Sequence, residues 1–171
     1  MTATTANSAR KMLTRAQCRA LLTHVDGWIA TGLGAGLAPL APGTVGSLVA
    51  LIPWWFALRQ LSPAWYALIL LLAFALGVWA CEISGKRLGV DDHRALVWDE
   101  FVGQWIALAA APLGWPWLVA GFLLFRLFDV WKPWPIRIAD RRVHGGFGVM
   151  LDDVLAGIGA LIVMQIAAYL L

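Results

Sequence analysis

Charge is scarce in this chain, and so is cysteine. Asp, Glu, Lys and Arg make up only 13% of its 171 residues, about half the share in soluble proteins, while 61% are hydrophobic. So few polar groups cannot cover so much apolar surface in water. An ordinary soluble enzyme, a disordered chain and a collagen-like fibre are therefore excluded. Two cysteines, Cys18 and Cys81, cannot build a disulfide framework, and no nucleic-acid partner is expected. Arg10, Lys11, Arg15 and Arg19 precede an apolar stretch that His24, Asp26 and several glycines interrupt, a poor signal-peptide core. The N-terminus is expected to be retained and cytoplasmic. Residues 1–9 are expected to form a disordered polar tail, and 10–171 a single membrane-embedded domain.

What is present is apolar and interrupted in four places. Residues 45–58, 64–81, 101–125 and 154–171 carry no charge. The second and fourth approach the roughly 20 residues a bilayer crossing needs, whereas the first is short and contains Pro53. The third is broken by Ala111-Pro112-Leu113-Gly114-Trp115-Pro116, which reads as the turn of a helical hairpin. Sidedness supports the hairpin, because it places every lysine and arginine except Arg59 on one face, as cytoplasmic loops require. The first arm is expected to begin near Ala95. The expected fold is all-α: an integral membrane bundle of about four to five short transmembrane or interfacial helices, with a hairpin near 95–128. Trp55, Trp65, Trp115 and Trp117 would mark the outer interface, and Trp79, Trp98, Trp131 and Trp134 the inner one. Ala156, Gly157, Gly159 and Ala160 would let the last helix pack closely.

Acidic side chains are costly in such a setting unless solvated, paired or bound to metal. Asp99 and Glu100 begin one apolar segment, Asp129 ends its second half, and Asp152 and Asp153 begin the last helix. The hairpin brings all three places to the same face, giving oxygen ligands for Mg²⁺ and, among them, cations for a phosphate. First-turn dipole stabilisation is the competing account for Asp99, Glu100, Asp152 and Asp153. It does not serve Asp129, late in its helix with Arg126 and Lys132 three residues to either side, although an ion-pair ladder would. Thr44, in Ala41-Pro42-Gly43-Thr44-Val45-Gly46-Ser47, is placed to cap a helix whose N–H groups could meet a phosphate oxygen; an ordinary helix start reads the same way. His144-Gly145-Gly146 could present a proton carrier or be a solvated loop. His93, after Asp91-Asp92, reads in the same two ways, and Asp26 and Asp140 attract no particular role. Cys81 and Arg87 match the Cys-x5-Arg spacing of thiol phosphatases, but the end of an apolar helix disfavours a thiolate.

The quoted residues form longer patterns. Pro42-Gly43-Thr44-x-Gly46-Ser47, Val97-Trp98-Asp99-Glu100-Phe101-Val102-Gly103, Phe125-Arg126-x-Phe128-Asp129-x-Trp131-Lys132-Pro133-Trp134-Pro135-Ile136, and Val143-His144-Gly145-Gly146-x-Gly148-x-Met150-x-Asp152-Asp153 resemble the phosphatidylglycerophosphatase A family. The resemblance implies an Mg²⁺-dependent phosphoric monoester hydrolase of the bacterial inner membrane. It would release inorganic phosphate from phosphatidylglycerol phosphate at the cytoplasmic side. On that basis Asp99, Glu100, Asp129 and Asp153 are expected to hold Mg²⁺, with Asp152 a ligand or an orienting group. Arg126, Lys132, Arg137 and Thr44 are expected to bind phosphate, and His144 to protonate the leaving alkoxide. Attack by water is expected, with a phosphorylated Asp129 or Asp99 as the alternative. A small transporter or anion-binding protein, and a structural assembly factor, are the competing classes. Charges gathered at one face rather than mid-bilayer favour the enzyme.

Overall fold

The computed structural model describes residues 13–170, so the expected tail 1–9 lies outside the described residues. Within them every regular element is helical. In order these are α1 (Arg15–Leu22), α2 (Val25–Ala30), α3 (Pro42–Phe56), α4 (Pro63–Leu88), α5 (Trp98–Ala107), α6 (Trp115–Trp131), α7 (Ile136–Arg142) and α8 (Gly145–Leu170), with single 3-10 turns at Ala35–Leu37 and Leu58–Gln60.

Local chemistry sets the boundaries. Thr14 opens α1 with a capping box: its side chain accepts from the Gln17 N–H while Gln17 reaches back to the Thr14 N–H, satisfying two otherwise unpaired donors. Proline starts α3, α4 and α6 near the first turn, where its missing N–H costs nothing. Gly89 ends α4 in the left-handed conformation, φ +74°, which glycine adopts without strain.

Two helices, α4 and α8, are long and apolar enough to cross a membrane; 26 residues each extend roughly 39 Å at 1.5 Å per residue. Leu68, Leu72 and Leu76 on α4, and Ile158, Ile162 and Ile166 on α8, are exposed at four-residue spacing. Such rows are what hydrocarbon covers. The hairpin is present as α5 and α6, but its first arm starts at Trp98 rather than near Ala95 and is only 10 residues long. Residues before it are held in an irregular segment, where the Val97 N–H donates to the Ala30 carbonyl at 2.7 Å. The expected set of crossings thus resolves into two full-length helices with the shorter α3, α5 and α6 packed around them.

α8 is the centre, in contact with α4, α5, α6 and α7. Its small residues do what their pattern suggests: a Cβ on Gly157 would lie 2.4 Å from the Gly103 carbonyl oxygen, so α5 and α8 meet backbone to backbone. Aromatic tips tie the remaining helices. Tyr66 donates to the Trp105 carbonyl at 2.6 Å, Trp105 to that of Ala50 at 2.9 Å, and Trp98 to that of Ala73 at 2.9 Å. Each is an α5 link to α3 or α4, and buried polar tips in such a setting need partners. α2 is held to α4 by Asp26, which accepts from Arg87 and from Ser84. Burial pushes the Asp26 carboxyl up, but those two donors outweigh it and hold it below its ordinary range.

A candidate metal-assisted phosphate site

Three helix ends, a stretch of α8 two turns from its start and one loop line a cavity of about 460 Å³ at one end of the bundle. α3 contributes Pro42, Gly43 and Thr44; α5 contributes Asp99 and Glu100; α6 contributes Arg126 and Asp129; α8 contributes Asp152 and Asp153, with Asp92 and Arg94 from the segment after α4. Lys132 closes the wall just beyond α6. Six carboxylates thus face three cations. That imbalance, largely buried, calls for further positive charge.

The sharpest part is a trio. One oxygen from each of Asp99, Glu100 and Asp153 lies within 4.8 Å of the others. Oδ1 of Asp99, Oε2 of Glu100 and Oδ2 of Asp153 are buried without a hydrogen-bond partner, as is Oδ1 of Asp152. Hard, anionic oxygens left unpaired at this spacing fit a divalent cation such as Mg²⁺. One turn deeper on α5, Gln104 is fully buried with neither amide atom partnered.

The surrounding residues fix the trio's neighbours. Arg126 Nη1 stands 2.6 Å from Asp129 Oδ2, 4.0 Å from Glu100 Oε1, and donates to Ser47 Oγ at 3.3 Å. Ser47 in turn donates to the Gly43 carbonyl. Gly43 has to be glycine for this arrangement, since a Cβ there would lie 2.1 Å from Glu100 Oε1. Lys132 bridges Asp152 on α8 and Asp140 on α7. Burial works against its charge, yet those two carboxylates hold the ammonium above the ordinary lysine range, so Lys132 is a fixed cation.

Several sequence expectations change in detail. Asp152 and Asp153 do not begin the last helix, because α8 starts at Gly145; two turns in, they are beyond the reach of the N-terminal dipole. Thr44 lines the cavity but is not a cap, because α3 already begins at Pro42. Asp129 is not in the trio and pairs with Arg126. His144, exposed just before α8, opens on an adjoining cavity of about 300 Å³ that shares Asp92 and Asp152 with the first. Arg137 lines neither. Cys81 is buried in the core and Arg87 is committed to Asp26, so no thiol-phosphatase loop is assembled. Sequence reasoning passed over Asp92, Arg94, Asp140 and Ser47. The first three lie in loops already assigned to the same face as the acidic cluster, which was the available signal.

Fold and site together define an all-helical membrane protein with a polyacidic pocket suited to a cation and a phosphate. The family model for "Phosphatidylglycerophosphatase A" matches residues 28–168. Phosphatidylglycerophosphatase A of Escherichia coli K12 is 50% identical over 131 residues, 76% of each chain. The protein of that name from Haemophilus influenzae Rd is 46% identical over 142 residues, 82% of this chain and 87% of its own. A Bacteroides thetaiotaomicron protein provisionally named as a phosphatidylinositol-3-phosphatase is 42% identical over 151 residues, 84% of this chain and 93% of its own. No solved structure matches. The chain belongs to the phosphatidylglycerophosphatase A family and is a lipid phosphatase.

Proposed function

We propose that the chain hydrolyses the terminal phosphomonoester of phosphatidylglycerol phosphate, with Mg²⁺, at the cytoplasmic face of the bacterial inner membrane. The observation that carries this reading is the convergence of unpartnered, buried carboxylate oxygens from α5 and α8 beside Arg126 and Lys132. Asp99, Glu100 and Asp153 would hold Mg²⁺. Bound there, the cation would neutralise phosphate charge and acidify a water. Arg126 reaches the cavity from α6 and offers guanidinium donors to the phosphate oxygens. Asp129, fixed by Arg126, is the carboxylate that takes a proton from the attacking water; a phosphorylated Asp129 or Asp99 is the alternative route. Lys132 holds Asp152 in place and adds positive potential at the cavity wall. Thr44 lies at the α3 end of the same cavity, and His144 stands in the adjoining one to protonate the departing alkoxide. The cytoplasmic assignment is supported by the sequence: eight of the 13 lysines and arginines fall in 82–100 and 126–153, the segments that supply most of the site's charged residues.

The test is phosphate release by the purified protein in detergent, with phosphatidylglycerol phosphate and with phosphatidylinositol 3-phosphate, each with and without Mg²⁺. Release from the first, only with Mg²⁺, is expected. Release from neither lipid under any divalent cation contradicts the reading, and release from the second alone reassigns the substrate.

A further inference from the structure

A third cavity lies outside the two already described. It is a groove of about 380 Å³ lined by Trp131, Pro133, Trp134, Arg137, Ile138 and Arg141. Arg137 and Arg141 are four residues apart on α7 and so share one face. Both are exposed, and among the described residues neither has an ion-pair partner. The other cations near the cavities are engaged: Arg126 with Asp129, Lys132 with Asp140 and Asp152, and Arg94 with the Pro39 carbonyl. Beside the two free guanidinium groups, Trp131 and Trp134 are 63% and 79% exposed, amphipathic rings of the kind that sit among lipid head groups. α7 itself is fixed, with Ile136 buried and the helix packed on α8.

The groove is also connected to the chemistry. Arg141 lines both the groove and the His144 cavity, and that cavity shares Asp92 and Asp152 with the carboxylate pocket. A headgroup with a second phosphate would lie along this chain of spaces. The geometry points to Arg137 and Arg141 as the site for the substrate's internal phosphodiester, the one that joins its diacylglycerol to its headgroup. This inference rests on the proposed function, since it assumes that the terminal monoester occupies the carboxylate pocket. The diester carries one negative charge and no proton to donate, a match for guanidinium donors. The tryptophans and Ile138 offer apolar surface to the adjoining glycerol and acyl carbons. The groove thereby distinguishes a lipid with a diester from phosphatidic acid, whose single phosphate lies directly on the diacylglycerol.

The test is the double variant Arg137→Ala/Arg141→Ala in neutral detergent micelles, with three readouts. For hydrolysis of phosphatidylglycerol phosphate, KM in mole fraction is expected to rise about tenfold while kcat stays within about twofold, the pattern for lost ground-state binding. Inhibition by phosphatidylglycerol, which keeps the diester and lacks the monoester, is expected to weaken about tenfold while inhibition by inorganic phosphate is unchanged. Calorimetric titration with phosphatidylglycerol, which needs no turnover, is expected to show the same loss of affinity. An unchanged KM and titration overturn the inference, as does equal weakening of both inhibitors. A defect seen only when a second anionic phospholipid is added to the micelles also overturns it, because a bystander lipid would then occupy the groove. Wild-type protein that releases no phosphate but binds phosphatidylglycerol through these arginines refutes the proposed function and not the groove.

Discussion

Arg126 and Asp129 form an ion pair at 2.6 Å, one turn apart near the end of α6. A carboxylate so late in a helix opposes the dipole, and the pair stands within reach of Glu100 on α5, 4.0 Å from the same guanidinium nitrogen. Asp129→Asn removes both the charge that orients Arg126 and the proposed proton acceptor. Phosphate release is expected to fall at least about a hundredfold, with the helical circular dichroism spectrum unchanged. Retained activity removes Asp129 from the chemistry.

Gly43 isolates the role of Glu100. In Gly43→Ala the new Cβ meets the end of a flexible side chain, Glu100 Oε1, at 2.1 Å, so the helix tolerates it and the carboxylate moves. Thermal stability is expected to change by about 1 kcal/mol or less, whereas the Mg²⁺ concentration for half-maximal activity rises about tenfold or more. An unchanged Mg²⁺ requirement would separate Glu100 from the cation.

Asp26 is a stability prediction. Its carboxyl is held below the ordinary value of 3.8, so the Asp26–Arg87 pair contributes fully above that pH. The contribution is lost as pH falls through the lower folded-state value. Asp26→Asn is expected to destabilise the protein by about 2–3 kcal/mol at neutral pH, because Arg87 loses charge-assisted hydrogen bonds. The difference between variant and wild type should shrink below about pH 4. Thermal unfolding in detergent at neutral pH and at the lowest pH the fold tolerates measures it; a pH-independent difference contradicts the ion-pair account.

Cys81 lies in the core with no exposed surface. Cys81→Ala is therefore expected to leave phosphate release within about threefold of wild type, at some cost in packing, and thiol reagents should not inhibit the folded protein through this residue. Loss of turnover in a folded Cys81→Ala variant would restore the thiol mechanism.

The hairpin was legible because its break is written in residue types: Pro112, Gly114 and Pro116 interrupt the apolar run between α5 and α6. The acidic cluster was readable because carboxylates are scarce in so apolar a chain and the hairpin returns Asp129 to the end of the bundle that holds Asp99 and Glu100. Helix ends were not. Gly145, Gly146 and Gly148 are poor helix formers and hid the first turns of α8, yet all three lie within it; α4 packs against the first two, and a Cβ on Gly146 would meet the Val78 carbonyl oxygen at 2.2 Å. That steric demand exists only once two helices are packed. Partnerships across the fold were equally hidden. Asp26 and Asp140 look unremarkable in the chain, and their roles come from Arg87 and Lys132, 61 and 8 residues away.

In the proposed site Asp99, Glu100 and Asp153 together hold a divalent cation. Mn²⁺ titration followed by electron paramagnetic resonance, on wild type and on Asp99→Asn and Asp153→Asn with Mg²⁺ as competitor, tests it most directly. One site displaced by Mg²⁺ in the wild type, and weakened about a hundredfold or lost in either folded variant, is the expected result. Equal Mn²⁺ binding by all three proteins, or none by the wild type, would contradict it.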